Sequence, residues 1–268
     1  MAATLLRLRA EPDQRLDLSA ITPERLHNLS RHEIATLPIG TTRVPLRLAD
    51  VFAVRLGERD RIRFEGGSER FDRLGAGLRA GEIRVEGDVG QAAGIGMSGG
   101  RIEVEGSAGP LAGALMAGGR IFIAGNAGDG AGGATPGVMA GMRGGFLLVA
   151  GRAGERLGDR MRRGCIAALG PAGAYAGSRM GGGTLLAAAA GPLPGYLMRR
   201  GTLVLGAHDG LAPSFVNSGV HQLQFLGLLR AWLRRQDARA SALVPLRAER
   251  FQGDMATLGR GEILVASI

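Results

Sequence analysis

One pattern, written seven times, limits what this chain can fold into. Leu78, Met97, Met116, Met142, Met161, Met180 and Met198 each open a similar unit, at spacings of 19, 19, 26, 19, 19 and 18 residues. Three residues after each comes a glycine: Gly81, Gly100, Gly119, Gly145, Gly164, Gly183 and Gly201. Five after comes a large aliphatic residue: Ile83, Ile102, Ile121, Leu147, Ile166, Leu185 and Leu203. Seven after comes a second aliphatic or small one: Val85, Val104, Ile123, Val149, Ala168, Ala187 and Leu205. More glycines recur at nine, twelve and sixteen, as in Gly87, Gly90 and Gly94. Two late units are each out of register by about one residue. An imperfect earlier copy, RIRFEGGSERFDRLGAG (61–77), begins the series.

A fixed period near 19 with one short strand and several turn glycines predicts a solenoid, one unit per coil, with corresponding strands stacked in parallel. Strand side chains alternate between faces, so the aliphatic column and its partner two residues on should point inward. The predicted fold class is all-β: a right-handed parallel β-helix of about seven to eight coils, with small N- and C-terminal α/β caps. Its rival, a left-handed β-helix of hexapeptide repeats, needs aliphatic residues at a regular six-residue spacing that this chain does not keep. At about 4.8 Å per coil, seven coils make a rod of about 30 Å. The 47 glycines and 4% aromatics suit stacked backbone layers. Ordinary helices fit poorly, because each interior glycine costs them about 1 kcal/mol.

The repeat also explains a misleading motif. Gly94, Gly96 and Gly99 in AGIGMSGGRIEVEG (93–106) fit the dinucleotide fingerprint G-x-G-x-x-G. Such a loop follows a strand and opens a helix, whereas these glycines precede RIEVEG, whose alternation reads as a strand. They are expected to be corner residues.

Residues 1–57 are expected to form an N-terminal capping segment, 58–210 the glycine-repeat β-helix, and 211–268 a C-terminal helix with capping strands. Thr22 before Pro23 and Glu24 marks a helix start, and Ser30 to Glu33 matches a capping box. PLRLADVFAV (45–54) then leads into the first coil. HQLQFLGLLRAWLRR (221–235) predicts a helix with Leu226, Leu229 and Leu233 on one stripe and Phe225, Leu228 and Trp232 beside it. SALVPLRAERF and GEILVAS are the predicted closing strands, since a bare terminal coil would offer unpaired edges. Seven extra residues in the 26-residue unit should bulge out near GGATPGVMA (132–140).

Outward strand positions separate two regions. Four residues after the anchor they read Glu82, Arg101, Arg120, Phe146, Cys165, Thr184 and Thr202. Six after, they read Arg84, Glu103, Phe122, Leu148, Ala167, Leu186 and Val204. Early coils expose charge and later ones an apolar strip, which is seldom left in water. The C-terminal helix is expected to shield part of that strip and to offer its second apolar stripe to a partner. Arg143, Arg160, Arg162, Arg163, Arg179, Arg199 and Arg200 precede the later strands and predict a basic ladder. The ladder is either a solvated edge neutralised by Glu155 and Asp159, or a seat for an acidic subunit surface or polyanionic coenzyme tail. Phe122, Phe146, Leu148, Leu186, Trp232 and the seven arginines form the candidate interface.

Catalytic chemistry is harder to find. Glu86 and Glu105 occupy equivalent positions on adjacent coils, a spacing compatible with a retaining glycosidase pair, as in a carbohydrate-active β-helix enzyme. Arg84, Arg101 and Glu103 around them read more simply as a charged surface, and sugar-stacking aromatics are few. His27, His32, His208 and His221 have no metal-ligand spacing. Cys165, the single cysteine, excludes a disulfide framework; Arg162 and Arg163 nearby would lower its pKa, unless it is a buried interface thiol. A net charge of +9, its basic side all arginine, points to an acidic partner. Nucleic acid is disfavoured because no recognition module is present. With no secretory-type N-terminus and no apolar run of membrane-spanning length, a soluble cytoplasmic protein without membrane contact is expected.

The Met-x-x-Gly-strand-Gly units resemble the glycine-repeat β-helix of the glutamate synthase C-terminal domain. Together with LADVFAV (48–54) before them and RFQGDMATLGRGEILV (250–265) after, the whole chain resembles the C-subunit family of formylmethanofuran dehydrogenases. That family has an archaeal setting, in complexes that reduce CO2 with tungsten or molybdenum and iron–sulfur subunits. Its bacterial setting is the formyltransferase/hydrolase complex of methylotrophs, which moves a formyl group from tetrahydromethanopterin to a methanofuran analogue and hydrolyses it to formate. The arginine-only, Gly/Ala-rich composition favours the bacterial setting. The resemblance implies a non-catalytic scaffold subunit, with methanofuran analogue and metal held by metal-dependent hydrolase and formyltransferase partners. It carries no catalytic or cofactor-binding residue over to a numbered position here.

Overall fold

The computed structural model describes residues 3–42 and 44–267. The N-terminal segment contains β1 (Ala3–Leu8), β2 (Leu16–Asp17), α1 (Pro23–Leu26), α2 (Arg31–Ala35), α3 (Leu48–Val51) and β3 (Phe52–Arg55). The repeats supply β4 (Glu58–Glu65), β5 (Phe71–Asp72), β6 (Glu82–Glu86), β7 (Ser98–Val104), β8 (Gly118–Ile123), β9 (Arg143–Val149), β10 (Arg163–Ala172), β11 (Gly181–Ala190) and β12 (Arg200–Leu205). The C-terminal segment adds β13 (Val216–His221), α4 (Gln224–Gln236), α5 (Ala238–Ala242), β14 (Ala248–Gly253) and β15 (Arg260–Ala266). The protein is mostly β, built on one 13-stranded and mostly parallel sheet ordered β13-β14-β15-β12-β11-β10-β9-β8-β7-β6-β4-β1-β3.

Consecutive units pair at equivalent positions. Ile62, Ile83, Ile102, Ile121, Leu147, Ile166, Leu185, Leu203 and Ile263 follow one another as Cα partners in parallel register. All are buried, as is the second column from Val85 to Leu205. The earlier copy at 61–77 joins the stack through β4, as its sequence predicts. A second line of parallel bridges runs Ser68–Val89–Ala108–Ala127–Ala153 and joins the main sheet at Ala172, the last residue of β10. The late loss of register is a bulge where Pro171 pairs with Ala189.

Of the fingerprint-like glycines, Gly94 and Gly96 sit in the turn before β7, as expected of corner residues, whereas Gly99 lies at the start of that strand. Gly94 and Gly96 have φ of +67° and +65°, and a Cβ on Gly99 would lie 1.9 Å from the Arg79 carbonyl oxygen. No side chain fits there.

The ends use antiparallel pairing. At one end β1 lies parallel to β4 and antiparallel to β3, over Phe52, Phe64 and Phe71, whose ring centroids lie 5.4–6.3 Å apart. LADVFAV therefore forms a short helix and the outermost edge strand, instead of running straight into the first coil. Thr22 and Ser30 cap α1 and α2 as their sequences predict. Glu24 accepts from the Arg79 and Ala80 N–H groups (2.8 and 2.6 Å), tying α1 to the first regular unit.

At the other end β15 extends the parallel stack beside β12, and β14 and β13 follow antiparallel. Residues 221–223 precede the helix expected to start at 221. Within the predicted strand 241–251, Ser241 and Ala242 end α5 and the strand begins only at Ala248. Among the described residues no helix is long and apolar enough to cross a membrane.

Candidate functional site

The outward face of the sheet begins with a staggered ladder of ion pairs. Arg7 holds Glu65, Arg63 holds Glu86, Arg84 holds Glu105 at 2.6 Å, and Arg101 holds Glu103 within its own strand. The bond to Glu105 raises the Arg84 pKa above its ordinary value. Glu86 and Glu105 are thus each engaged by an arginine of the preceding unit on an exposed surface. That arrangement pairs both carboxylates with guanidinium groups on a solvated face. The glycosidase reading of the pair is withdrawn on this geometry.

Beyond the ladder the face turns apolar and is covered from within the chain. Phe146, Leu148, Cys165, Ala167, Leu186 and Val204 form a second buried cluster with Leu226 and Leu233 of α4, Ala240 of α5, and Val244, Ala248 and Leu264. The stripe Leu226–Leu229–Leu233 faces the sheet as its 3.6-residue period requires, Leu229 only partly buried. Phe146, Leu148 and Leu186 are therefore shielded by the chain's own helix, which corrects their place in the candidate interface. Phe122 and Trp232 keep exposed surface. They belong to a row in which Arg101 stacks on Phe122 (4.6 Å), Phe122 meets Phe146 (5.9 Å) and Phe146 meets Trp232 at 90°.

Burial also decides Cys165. The thiol lies within the cluster, and desolvation pushes its pKa up to about 12. The lowering expected from Arg162 and Arg163 does not occur, because both guanidinium groups stay in solvent.

The arginine ladder splits in two. Arg160 and Arg179 converge on Asp159, at 3.6 and 2.9 Å, and Asp159 also accepts from the Ser178 hydroxyl at 2.6 Å. This carboxylate is buried, so these two arginines are part of the fold. Glu155, expected to share in the neutralisation, forms no ion pair with these arginines among the described residues. Arg143, Arg162, Arg163, Arg199 and Arg200 are exposed and form no ion pair among the described residues. Arg143 and Arg163 are Cα partners, and Arg200 pairs with Arg260, which extends the edge by a residue the repeat did not predict.

The insertion lies beside this edge. The Ala134 N–H donates to the Asp159 carbonyl (3.2 Å) and the Met142 N–H to the Gly132 carbonyl (3.0 Å), both bonds of the regular corner. The seven extra residues are thus Thr135–Gly141. They wall a groove of about 530 Å³ with Leu111, Asp129, Arg156, Asp159, Arg160 and Arg179. Met139 lies over Arg160, its Sδ 2.7 Å from the guanidinium. Next to the groove Tyr175 meets Tyr196 edge to face at 5.8 Å, and Arg156 lies 6.0 Å from the Tyr175 ring. The Asp159–Ser178 contact was legible in the sequence, since the two residues are one period apart.

His208 packs on Phe251 and accepts from the Gly210 N–H, and His221 bonds the Ser218 carbonyl. Among the described residues no three His, Cys, Asp or Glu side chains are grouped to hold a metal ion. The residues present do not fit the metal of the hydrolase chemistry.

No family model matches the chain. It is 54% identical over 86 residues to the C subunit of the formyltransferase/hydrolase complex Fhc of Methylorubrum extorquens, a match spanning 32% of each protein. It also superposes with a TM-score of 0.93 on a chain of the crystal structure of the formyltransferase/hydrolase complex FhcABCD from Methylorubrum extorquens in complex with methylofuran. That likeness holds at 50% identity over 98% of this chain and 100% of the other. A likeness of that identity along the whole length leaves one assignment: the chain belongs to the C-subunit family of formyltransferase/hydrolase complexes.

Proposed function

We propose that this chain is a non-catalytic scaffold subunit of a cytoplasmic formyltransferase/hydrolase complex. Its partners would transfer a formyl group between tetrahydromethanopterin and a methanofuran analogue and hydrolyse it to formate. The observation that carries this reading is the full-length likeness to a chain of such a complex. The site chemistry supports it: Glu86, Glu103 and Glu105 are engaged by arginines, and the one thiol is buried. The 54% identity to a bacterial relative favours this setting over the archaeal dehydrogenase.

In the same reading residues 58–210 wind as a right-handed parallel β-helix between caps at 1–57 and 211–268. Supporting it are the two parallel ladders, one through the Ile/Leu column and one through Val89, Ala108 and Ala127. Right-handed connection is the rule between parallel strands of one sheet.

The free arginines form the docking edge for a catalytic subunit. The test is charge reversal at Arg143, Arg162 and Arg163 in the co-expressed complex. Arg179 is left alone, because reversing it would set a second carboxylate beside buried Asp159. Loss of co-purifying subunits with the chain still folded supports the reading. Normal assembly with weakened affinity for the methanofuran analogue would assign the edge to an acidic coenzyme tail. No change in either would leave it a solvated edge.

A further inference from the structure

Helix α4 has one half on the sheet and one half outward. Its sequence, QFLGLLRAWLRRQ, carries three arginines and no acidic residue. On the outward half Phe225, Leu228 and Trp232 follow at i, i+3 and i+7, exposed by 37%, 75% and 40%. Three large apolar side chains on one exposed helical stripe are unusual for a surface that meets only water. Arg235 lies two turns beyond Leu228, and Arg234 follows on the far edge of the outward half; neither has an ion pair among the described residues, while nearby Asp237 is engaged by Arg239 at 2.8 Å.

The opposite flank carries an independent observation. Arg230 lines a cleft of about 440 Å³ with Leu223, Gly227, Pro245 and the exposed Leu246. Its Nε is withdrawn from solvent and has no hydrogen-bond acceptor among the described residues. Native proteins rarely leave a buried donor in that state. A surface laid over a helix about 10–12 Å across would reach both flanks.

We infer that the outward half of α4 is a docking ridge for an acidic face of a partner subunit, with Leu228 and Trp232 as apolar anchors and Arg230, Arg234 and Arg235 pairing with its carboxylates. Trp and Arg are the residues that most often anchor interfaces. A second copy of this chain is the poorer occupant, because a two-fold contact would set the same arginines against each other. The inference rests on the reading that the chain assembles with other subunits.

The full chain is co-expressed with the other subunits of its complex as wild type, Leu228→Glu, Arg234→Glu/Arg235→Glu, or Arg230→Met. Leu228, Arg234 and Arg235 lie on the outward half, so the far-UV spectrum and melting temperature should be unchanged. Each of the first two variants should retain at least about tenfold less partner than wild type. Arg230→Met should weaken assembly without destabilising the isolated chain, since a donor lacking an acceptor contributes nothing to the fold. Wild-type recovery of partner by Leu228→Glu and by the double arginine variant overturns the inference and leaves the scaffold reading standing. Failure of the wild-type chain to recover any partner overturns both. A wild-type dimer that Leu228→Glu converts to a monomer assigns the ridge to a second copy and overturns the inference.

Discussion

Gly94 and Ile121 give a direct test of how successive units nest. A Cβ on Gly94 would stand 2.4 Å from Ile121 Cδ1, and the Gly94 backbone has φ of +67°. The same relation recurs at 2.5 Å between Gly75 and Ile102 and at 2.4 Å between Gly132 and Ile166, so corner glycines make room for inward methyl groups. Ile121→Val deletes that methyl alone and should cost about 0.5–1.5 kcal/mol. Ile121→Ala removes three carbons, about 2.4 kcal/mol of transfer free energy at about 0.8 per carbon. The backbone-walled site collapses poorly, which brings the expected loss to about 3–5 kcal/mol. Gly94→Ala combines about 1–2 kcal/mol for a left-handed non-glycine residue with an overpacking cost of about 1–3 kcal/mol. In the Ile121→Val background most of the overpacking disappears. The double variant should therefore be more stable than the sum of the single effects by at least about 1 kcal/mol. Urea unfolding of the four proteins, followed by far-UV circular dichroism, measures the cycle. Additivity within about 0.5 kcal/mol would show that the Ile121 methyl does not fill the hollow at Gly94, and the nesting would be refuted.

Three further perturbations probe the rest of the molecule. Cys165 has its pKa raised to about 12 from an ordinary 9.0, so above pH 9 the unfolded chain loses the thiol proton while the folded chain keeps it. Stability should then fall by about 1.4 kcal/mol per pH unit between about pH 9 and 12. Cys165→Ala should remove that component of the slope; an identical pH profile would contradict the burial. Deleting 135–141 with Ala134→Gly should leave the spectrum intact and the melting temperature within about 3 °C, a shift of about 1 kcal/mol; collapse would place the insertion in the core. Asp159→Asn should destabilise the isolated chain by about 1–3 kcal/mol, discounted from a fully buried pair because its arginines reach solvent. A neutral result in thermal melts would remove the assigned structural role of Arg160 and Arg179.

Much of this architecture is local and repetitive, and that is why it is legible. A side chain such as Ile102 is repeated one period away on both sides, so its inward direction and its Cα partners, Ile83 and Ile121, follow from the period alone. Gly99 is readable for the same reason: its neighbour across the stack, Arg79, belongs to the corresponding stretch of the preceding unit. The insertion could be placed near 132–140 because the flanking units keep register. The candidate site was less legible. Seven arginines cluster at one corner of the repeat, yet only the structure separates Arg160 and Arg179, committed to Asp159, from Arg162 and Arg163, left in solvent. Period says which residues are neighbours; it does not say which of several rotamers reaches a given carboxylate.

The sequence by itself determined the stacking register, the inward columns, the corner glycines and the amphipathic stripe of α4. Each is set by a short-range rule that repeats along the chain: alternation in strands, 3.6-residue periodicity in helices, or a backbone angle that only glycine adopts easily. Tertiary structure decided which pieces without internal symmetry meet. β1 and β15 enter the main sheet from the two ends of the chain, at Ile62 and Leu203, because a backbone edge accepts any strand of suitable twist. α4 lies over Phe146, Leu186 and Val204, which hides the residues that read as a docking strip and turns Phe225, Leu228 and Trp232 outward. It also decided the state of Cys165, since desolvation depends on what covers the thiol, and the covering helix lies some sixty residues further along the chain.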